Sequence, residues 1–325
     1  MSIDLALDDA QEGIATALRQ FCEQQCDPEV VKALAGKFPD ALWRELADLG
    51  VLAIATPEGD GGPGELVAAL ETLGFAAFPG PLAATVLATQ LLPADERVAI
   101  AAGQAIAAVG GPPLFAFGTL ATVFFEIDGE HIYRVRPLGE VESVETLGAE
   151  VFGRVECERI ERFEDSARAL ALYRIALAAY LVGAGDALIR AAASHAATRK
   201  QFGQPIGQFQ AVAHPLADCH IRLEAARLIT RSAADQHARG DTDAALEACA
   251  AHYAARRAAT EAAHTCHQVF GAVGITLEGP AFHLSRKILQ LAAMAPGVEA
   301  TTEALYAGIH RRTAGGEDAH GKAGR

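Results

Sequence analysis

The chain has 325 residues, 51% of them hydrophobic and 21% charged, which excludes a disulfide-stapled peptide, a wholly disordered chain and a low-complexity or collagen-like fibre. Forty-one acidic residues against 27 basic ones leave a formal charge of −14, the wrong sign for general attraction to a nucleic-acid backbone or an anionic membrane. Seventy alanines and 6% aromatic residues tilt the composition toward packed helices, so a mainly α fold is expected.

In chain order, residues 1–102 read as an N-terminal helical domain. Asp8 and Asp9 are N-cap candidates ahead of Ile14, Leu18 and Phe21 on one helical face. FPDALWRELADLG spaces Leu42, Trp43, Leu46 and Leu49 for a helix and stops at Gly50, a residue type that ends helices at little cost. A glycine-rich loop, VLAIATPEGDGGPG, leads into a third amphipathic segment from Glu65 that closes on Gly74.

Residues 103–165 carry the one clear β signal. VFFEI and HIYRV flank Asp128-Gly129 and predict a type I′ hairpin. The stretch from Arg154 to Ile160 offers one more strand, so a small, reduced β domain is expected. The uncharged run from Val98 to Phe125 is long enough to span a bilayer, but Gly103, Gly110, Gly111, Pro112 and Pro113 break any helix there, and no membrane span is expected.

Residues 166–312 read as a C-terminal bundle of long helices: Arg168 to Lys200, Gln208 to Arg239 stopping at Gly240, Asp243 to Phe270, then shorter ones around Phe282 to Leu291 and Val298 to Ile309. The small, polar residues 313–325 predict a flexible tail. Cys22, Cys26, Cys157, Cys219, Cys249 and Cys266 include no C-x-x-C pair and follow no secretory leader pattern, which suits reduced thiols in the cytoplasm. Cys22 and Cys26 share a helix face and are assigned to the core. His264, Cys266 and His267 have no fourth ligand or H-E-x-x-H spacing, so no metal site is expected.

The densest chemical signal is TRKQFGQPIGQFQAVAHPLADCHIRLEAARL, Thr198 to Leu228. By spacing alone it is an αα-hairpin whose Arg199 and Lys200 complement a helix C-terminus and whose Gly/Pro residues make the turn. The stretch also resembles the acyl-CoA dehydrogenase family, whose third domain carries R-x-x-F-G-x-P-I-x-x-F-Q followed by a helix of the L-A-D and E-A-A-R kind. Two further segments resemble the same family in the same order: LWRELADLGVLAIATPEGDGG (Leu42 to Gly62), like its N-terminal helix and P-E-x-x-G-G loop, and HQVFGAVGITLEGP (His267 to Pro280), like its Q-x-x-G-G-x-G segment with Ala272 at the second glycine. The likeness covers roughly residues 1–100 and 166–312. It implies an N-terminal helical domain, a small β domain and a C-terminal four-helix bundle that oligomerises.

The resemblance further implies that Arg199, Phe202 and Gln210 contact FAD held by a neighbouring subunit, the guanidinium giving charge-assisted hydrogen bonds to the dianionic pyrophosphate. Gln268 and Gly271 would approach its adenosine half. In the family a carboxylate removes the α-proton of an acyl thioester while the β-hydrogen leaves as hydride to flavin. The two family positions for that base fall here at Tyr173, followed by Arg174 on the substrate side, and at Ala293 within a residue or so. Neither is a carboxylate, and no catalytic residue is identified. The family's T-E-P-x-x-G-S-D and G-x-K-x-W-I-T segments are not found.

The one-sided loss resembles the shorter, degenerate partner of heteromeric α2β2 acyl-CoA dehydrogenases of bacterial steroid side-chain degradation. The expectation is a subunit that completes the FAD site of a flavoenzyme oxidising a bulky acyl-CoA. A catalytic acyl-CoA dehydrogenase subunit, the acyl-CoA and electron-transferring flavoprotein are its implied partners. Two alternatives stay open: a self-sufficient homo-oligomer whose base is relocated, with Glu278, Glu299 and Glu303 as candidates, and a non-redox acyl-CoA binding or lyase-type descendant.

Overall fold

The structure is a computed structural model, and it describes residues 5–26, 30, 37–146, 148, 150–277 and 279–321. Asp8 accepts the Gln11 amide N–H at 2.9 Å while the Gln11 side chain takes the Asp8 N–H at 3.3 Å, a reciprocal cap that starts α1 (Asp9–Gln25) and turns Ala15, Leu18 and Cys22 inward. In α2 (Asp40–Asp48) Leu42, Trp43 and Leu46 are buried, and the chain leaves the helix at Gly50, whose φ of +77° only glycine adopts freely.

Helix α3 (Pro63–Phe75) starts earlier than its amphipathic pattern, because Pro63 suits a first helical turn and Glu65 takes the Gly62 N–H at 2.8 Å. It also runs through Gly74 instead of stopping there. A Cβ on Gly74 would collide with the Tyr180 carbonyl oxygen, and one on Gly183 would collide with that of Glu71. The two glycines thus serve a close backbone approach between helices. α4 (Leu82–Leu91) and α5 (Ala94–Ala101) complete the N-terminal part.

The middle of the chain is a seven-stranded sheet, β1 (Ala107–Gly111), β2 (Leu114–Ala116), β3 (Val123–Asp128), β4 (His131–Pro137), β5 (Glu142–Val144), β6 (Phe152–Arg154) and β7 (Cys157–Arg162). Its order is β5-β6-β2-β1-β3-β4-β7. Only β1 and β3 pair in parallel; the other neighbours are antiparallel. The uncharged run from Val98 divides among α5, β1, β2 and β3. The expected β3–β4 hairpin forms, with a corrected turn. Asp128 pairs with His131, so the two loop residues are Gly129 and Glu130. Gly129 has φ +62° and Glu130 is not among the positive-φ residues, the pattern of a type II′ turn in place of type I′.

The C-terminal half is helical: α6 (Ala167–Thr198), the short pair β8 (Lys200–Gln201) and β9 (Gln204–Pro205), α7 (Gln210–Arg239), α8 (Ala244–Phe270), α9 (Pro280–Ala293) and α10 (Val298–Gly321). α6, α7 and α8 pack on one another and α9 packs on α6 and α8. α6 is long and apolar enough to cross a membrane, but most of its apolar stretch is buried between α3, α4, α7, α8 and α9. Helix α10 runs to Gly321, into the stretch where a tail is expected from residue 313. One continuous core takes in Leu18, Trp43, Leu70, Tyr180, Leu223 and Ala259, so the N-terminal helices and the bundle share an interior.

Candidate functional site

The motif residues gather at one end of the bundle. α6 and α8 finish there and α7 begins there, because His195 in the last turn of α6 stacks on Phe270 at the end of α8 with ring centroids 4.8 Å apart. Past α6 the β8–β9 hairpin turns on Phe202 and Gly203, with φ of +53° and +83°. Phe202 is 93% exposed and meets the Phe209 ring edge-on at 6.1 Å. A non-glycine residue in the left-handed region costs about 1–2 kcal/mol, and this one gains no burial in return.

Arg199 caps α6 through its backbone N–H to the His195 carbonyl, and its side chain is exposed, with no ion pair or hydrogen bond among the described residues. Gln210, the first residue of α7, and Gln268, in the last turn of α8, are also exposed. Gly271 ends α8 at φ +60°, with open space where a Cβ would stand. The five residues form a flank with one free cation, one bare ring, two amides and a bare backbone. That donor set suits one side of a dinucleotide such as FAD.

The two expected base positions, Tyr173 and Ala293, lie on α6 and at the end of α9. Tyr173 is fully buried, and its Oη donates to the Ala295 carbonyl at 2.9 Å. Burial pushes its phenol well above the ordinary range, so at neutral pH it is a donor and not a base. The residue facing it is Ala295, two beyond Ala293, which is exposed. Arg174 is 1% exposed and is paired on both terminal nitrogens with the Glu130 carboxylate in the β3–β4 turn, Nη1 to Oε2 at 3.0 Å. Glu299 and Glu303 lie exposed on α10, and Glu278 falls outside the described residues.

Sequence reasoning missed several polar pairings of buried side chains. Glu130 pairs Arg174 across 44 positions, and nothing in its hairpin context marks it. Lys287 and Glu150, both buried, form an ion pair, and the Gln290 amide donates to Glu150 at 2.7 Å while its oxygen accepts from Thr146 Oγ1 and the Gly148 N–H, each at 2.7 Å. This cluster ties the β5–β6 loop to α9. The legible sign was charge on an otherwise apolar face. Among the described residues, no group of three or more His, Cys, Asp or Glu side chains comes together as a metal site. A cavity of about 1070 Å³ opens between α1, α3, α6 and α7, lined by Cys22, Cys26, Glu71 and Asp186 among others, and by Glu224 and Arg227 of the E-A-A-R stretch.

Residues 8–122 match the model of the acyl-CoA dehydrogenase N-terminal domain, and residues 163–307 that of the acyl-CoA dehydrogenase C-terminal domain. The chain belongs to the acyl-CoA dehydrogenase family. It is 31% identical over 258 residues to acyl-CoA dehydrogenase IpdE2 of Mycobacterium tuberculosis, covering 74% of this chain and 78% of that one. Among solved structures it is similar to the ChsE4-ChsE5 complex from Mycobacterium tuberculosis, at 25% identity and a TM-score of 0.79 over 96% of this chain and 99% of that one. A variant of the Tcur3481-Tcur3483 steroid ACAD shares the fold, with a TM-score of 0.82 at 22% identity over 95% of this chain and all of the other.

Proposed function

We propose that this chain is the accessory subunit of a heteromeric, cytoplasmic acyl-CoA dehydrogenase and closes one side of an FAD site whose other side belongs to a catalytic subunit. The observation that carries the reading is Phe202, a strained and 93% exposed aromatic beside the unpaired Arg199. A residue that costs backbone strain and buries nothing in its own chain is explained by what it covers in a complex. Arg199 would hold the pyrophosphate, Phe202 would cover the cofactor, and Gln210, Gln268 and Gly271 would complete the flank. When bound, FAD supplies the hydride acceptor. This chain's part is to bind and orient it and to exclude water.

The division of labour also follows from what this chain places at the family's base positions. Tyr173 is buried, neutral and hydrogen-bonded to the Ala295 carbonyl, and Ala293 carries no ionisable group. Proton abstraction from the acyl thioester is therefore assigned to the partner subunit. The two-residue Pro112-Pro113 turn that joins β1 directly to β2 leaves no loop there to wrap a flavin. The substrate is a bulky acyl-CoA. Its steroid character rests on the likeness to the Tcur3481-Tcur3483 steroid ACAD, and electron-transferring flavoprotein is the acceptor the family implies.

Co-expression with a catalytic acyl-CoA dehydrogenase subunit tests this reading. The expected product is a yellow heteromer, with dye-coupled acyl-CoA oxidation absent from this chain alone. Charge-assisted hydrogen bonds are worth about 1.5–3 kcal/mol, so Arg199→Ala lowers FAD affinity by roughly 10- to 150-fold while leaving assembly intact. A homomer of this chain that turns over acyl-CoA with its own FAD would overturn the proposal.

A further inference from the structure

Behind Tyr173 lies a buried cluster of nitrogen-bearing side chains. Cys249, His252 and Arg256 recur at helical spacing on the inner face of α8, and Arg174 enters the same space from α6. Arg174, His252 and Arg256 are 1%, 0% and 5% exposed. The loop between α9 and α10 and the first turn of α10 cover the cluster. Arg256 Nη2 donates to the carbonyls of Met294 at 3.2 Å and Pro296 at 2.8 Å, and Cys249 Sγ donates to that of Thr301 at 3.2 Å.

Among the described residues, the rest of this nitrogen set has no partner. Arg174 Nε, Arg256 Nε and Nη1, and both ring nitrogens of His252 are buried and meet no hydrogen-bonding group of the described chain. Charge is unbalanced as well. Two guanidiniums, which keep their protons at any working pH, stand against one carboxylate among the described residues, Glu130, whose side chain is 51% exposed. Burial and the two guanidiniums hold His252 well below its ordinary value, so the ring is neutral and offers one N–H. An isolated buried charge is costly unless a counter-ion meets it.

We propose that this cluster binds one small monovalent anion of chloride size, held by the guanidinium edges of Arg174 and Arg256 and by an N–H of His252. The excess of one positive charge sets the valence. His252 and Arg256 stand on successive turns of one helix, a spacing that suits a small ion and not a CoA phosphate. The ion would tie the Glu130 turn and the loop at 294–297 to the bundle, beside Tyr173. The site does not depend on the accessory-subunit reading.

The test uses the purified full chain. Thermal unfolding is followed in rising sodium chloride or bromide, with sodium gluconate keeping ionic strength constant. Tm is expected to rise by about 2 °C per tenfold halide above the dissociation constant. Arg256→Met removes the rise, and His252→Leu weakens it. Crystals grown in bromide should show an anomalous peak within hydrogen-bonding reach of Arg174, His252 and Arg256. If Arg256→Met fails to fold, that peak alone decides. A halide-independent Tm with no peak there, or bromide found only at the surface, overturns the site.

Discussion

Gly183 and Gly13 make opposite predictions for the same substitution. In an exposed helix, Gly→Ala gains about 1 kcal/mol from backbone propensity. Gly13 sits in α1 with nothing within 4 Å of an added Cβ, so Gly13→Ala should stabilise by about that amount. At Gly183 the added Cβ would overlap the Glu71 carbonyl and lie 2.8 Å from the Phe75 nitrogen. Both obstacles are backbone, which no rotamer change can move aside. α3 must then be pushed away from α6, loosening Leu66, Leu70 and Leu73, which are buried there. Overpacking of this kind costs about 1–3 kcal/mol and more against backbone, so after the propensity gain Gly183→Ala should lose about 2 kcal/mol. Urea titrations of the two variants and the wild type, with equal m-values as the check on two-state unfolding, measure the difference. Equal stability of the two variants, or stabilisation by Gly183→Ala, would refute the close approach.

Phe202→Gly should leave the free chain within about 1 kcal/mol of wild type by thermal unfolding, since the lost side chain is exposed and glycine relieves the left-handed backbone; the same change should weaken FAD retention in the assembled heteromer. Lys287→Met strands the buried Glu150 carboxylate and should cost about 3–5 kcal/mol. The double variant Lys287→Met with Glu150→Leu should recover part of that loss, and a double-mutant cycle with strictly additive effects would contradict the pairing. His237 is buried, its Nε2 3.0 Å from the Arg168 carbonyl, and burial lowers its affinity for protons below the ordinary 6.5. The unfolded chain then takes up a proton that the folded chain does not, so stability should fall as pH drops through about 6.5. His237→Gln should flatten that slope in unfolding titrations between pH 7.5 and 5.5.

The features legible from sequence were those written in a few adjacent residues. Asp8, one of two N-cap candidates, is the cap, Gly50 and Gly240 spell helix ends, and the Arg199 to Gln210 motif lies at the end of the bundle. What stayed hidden was decided by distant partners. β1 is Ala107 to Gly111, mostly alanine and glycine, so it lacks the β-branched signature and owes its strand to pairing with β2 and β3. β2, β5 and β6 are each three residues long, below the length at which alternation can be seen. Gly74 looks like a stop signal, yet its small size is used against Tyr180, over a hundred residues away. Arg174, His252 and Arg256 look like ordinary helix surface until the packing turns them inward.

Helix α6 poses a problem of timing during synthesis. It is apolar enough to pass for a membrane span, and it becomes harmless only once α7 and α8 lie against it. Those helices end at Phe270, 72 residues after Thr198, so at about 5–20 residues per second the ribosome leaves α6 half-covered for roughly 4–14 s. In that interval α3 is the shelter already made, docked through Gly74 and Gly183. A chain deprived of its first hundred residues would deliver α6 bare, a substrate for chaperones and for the targeting machinery that collects hydrophobic segments.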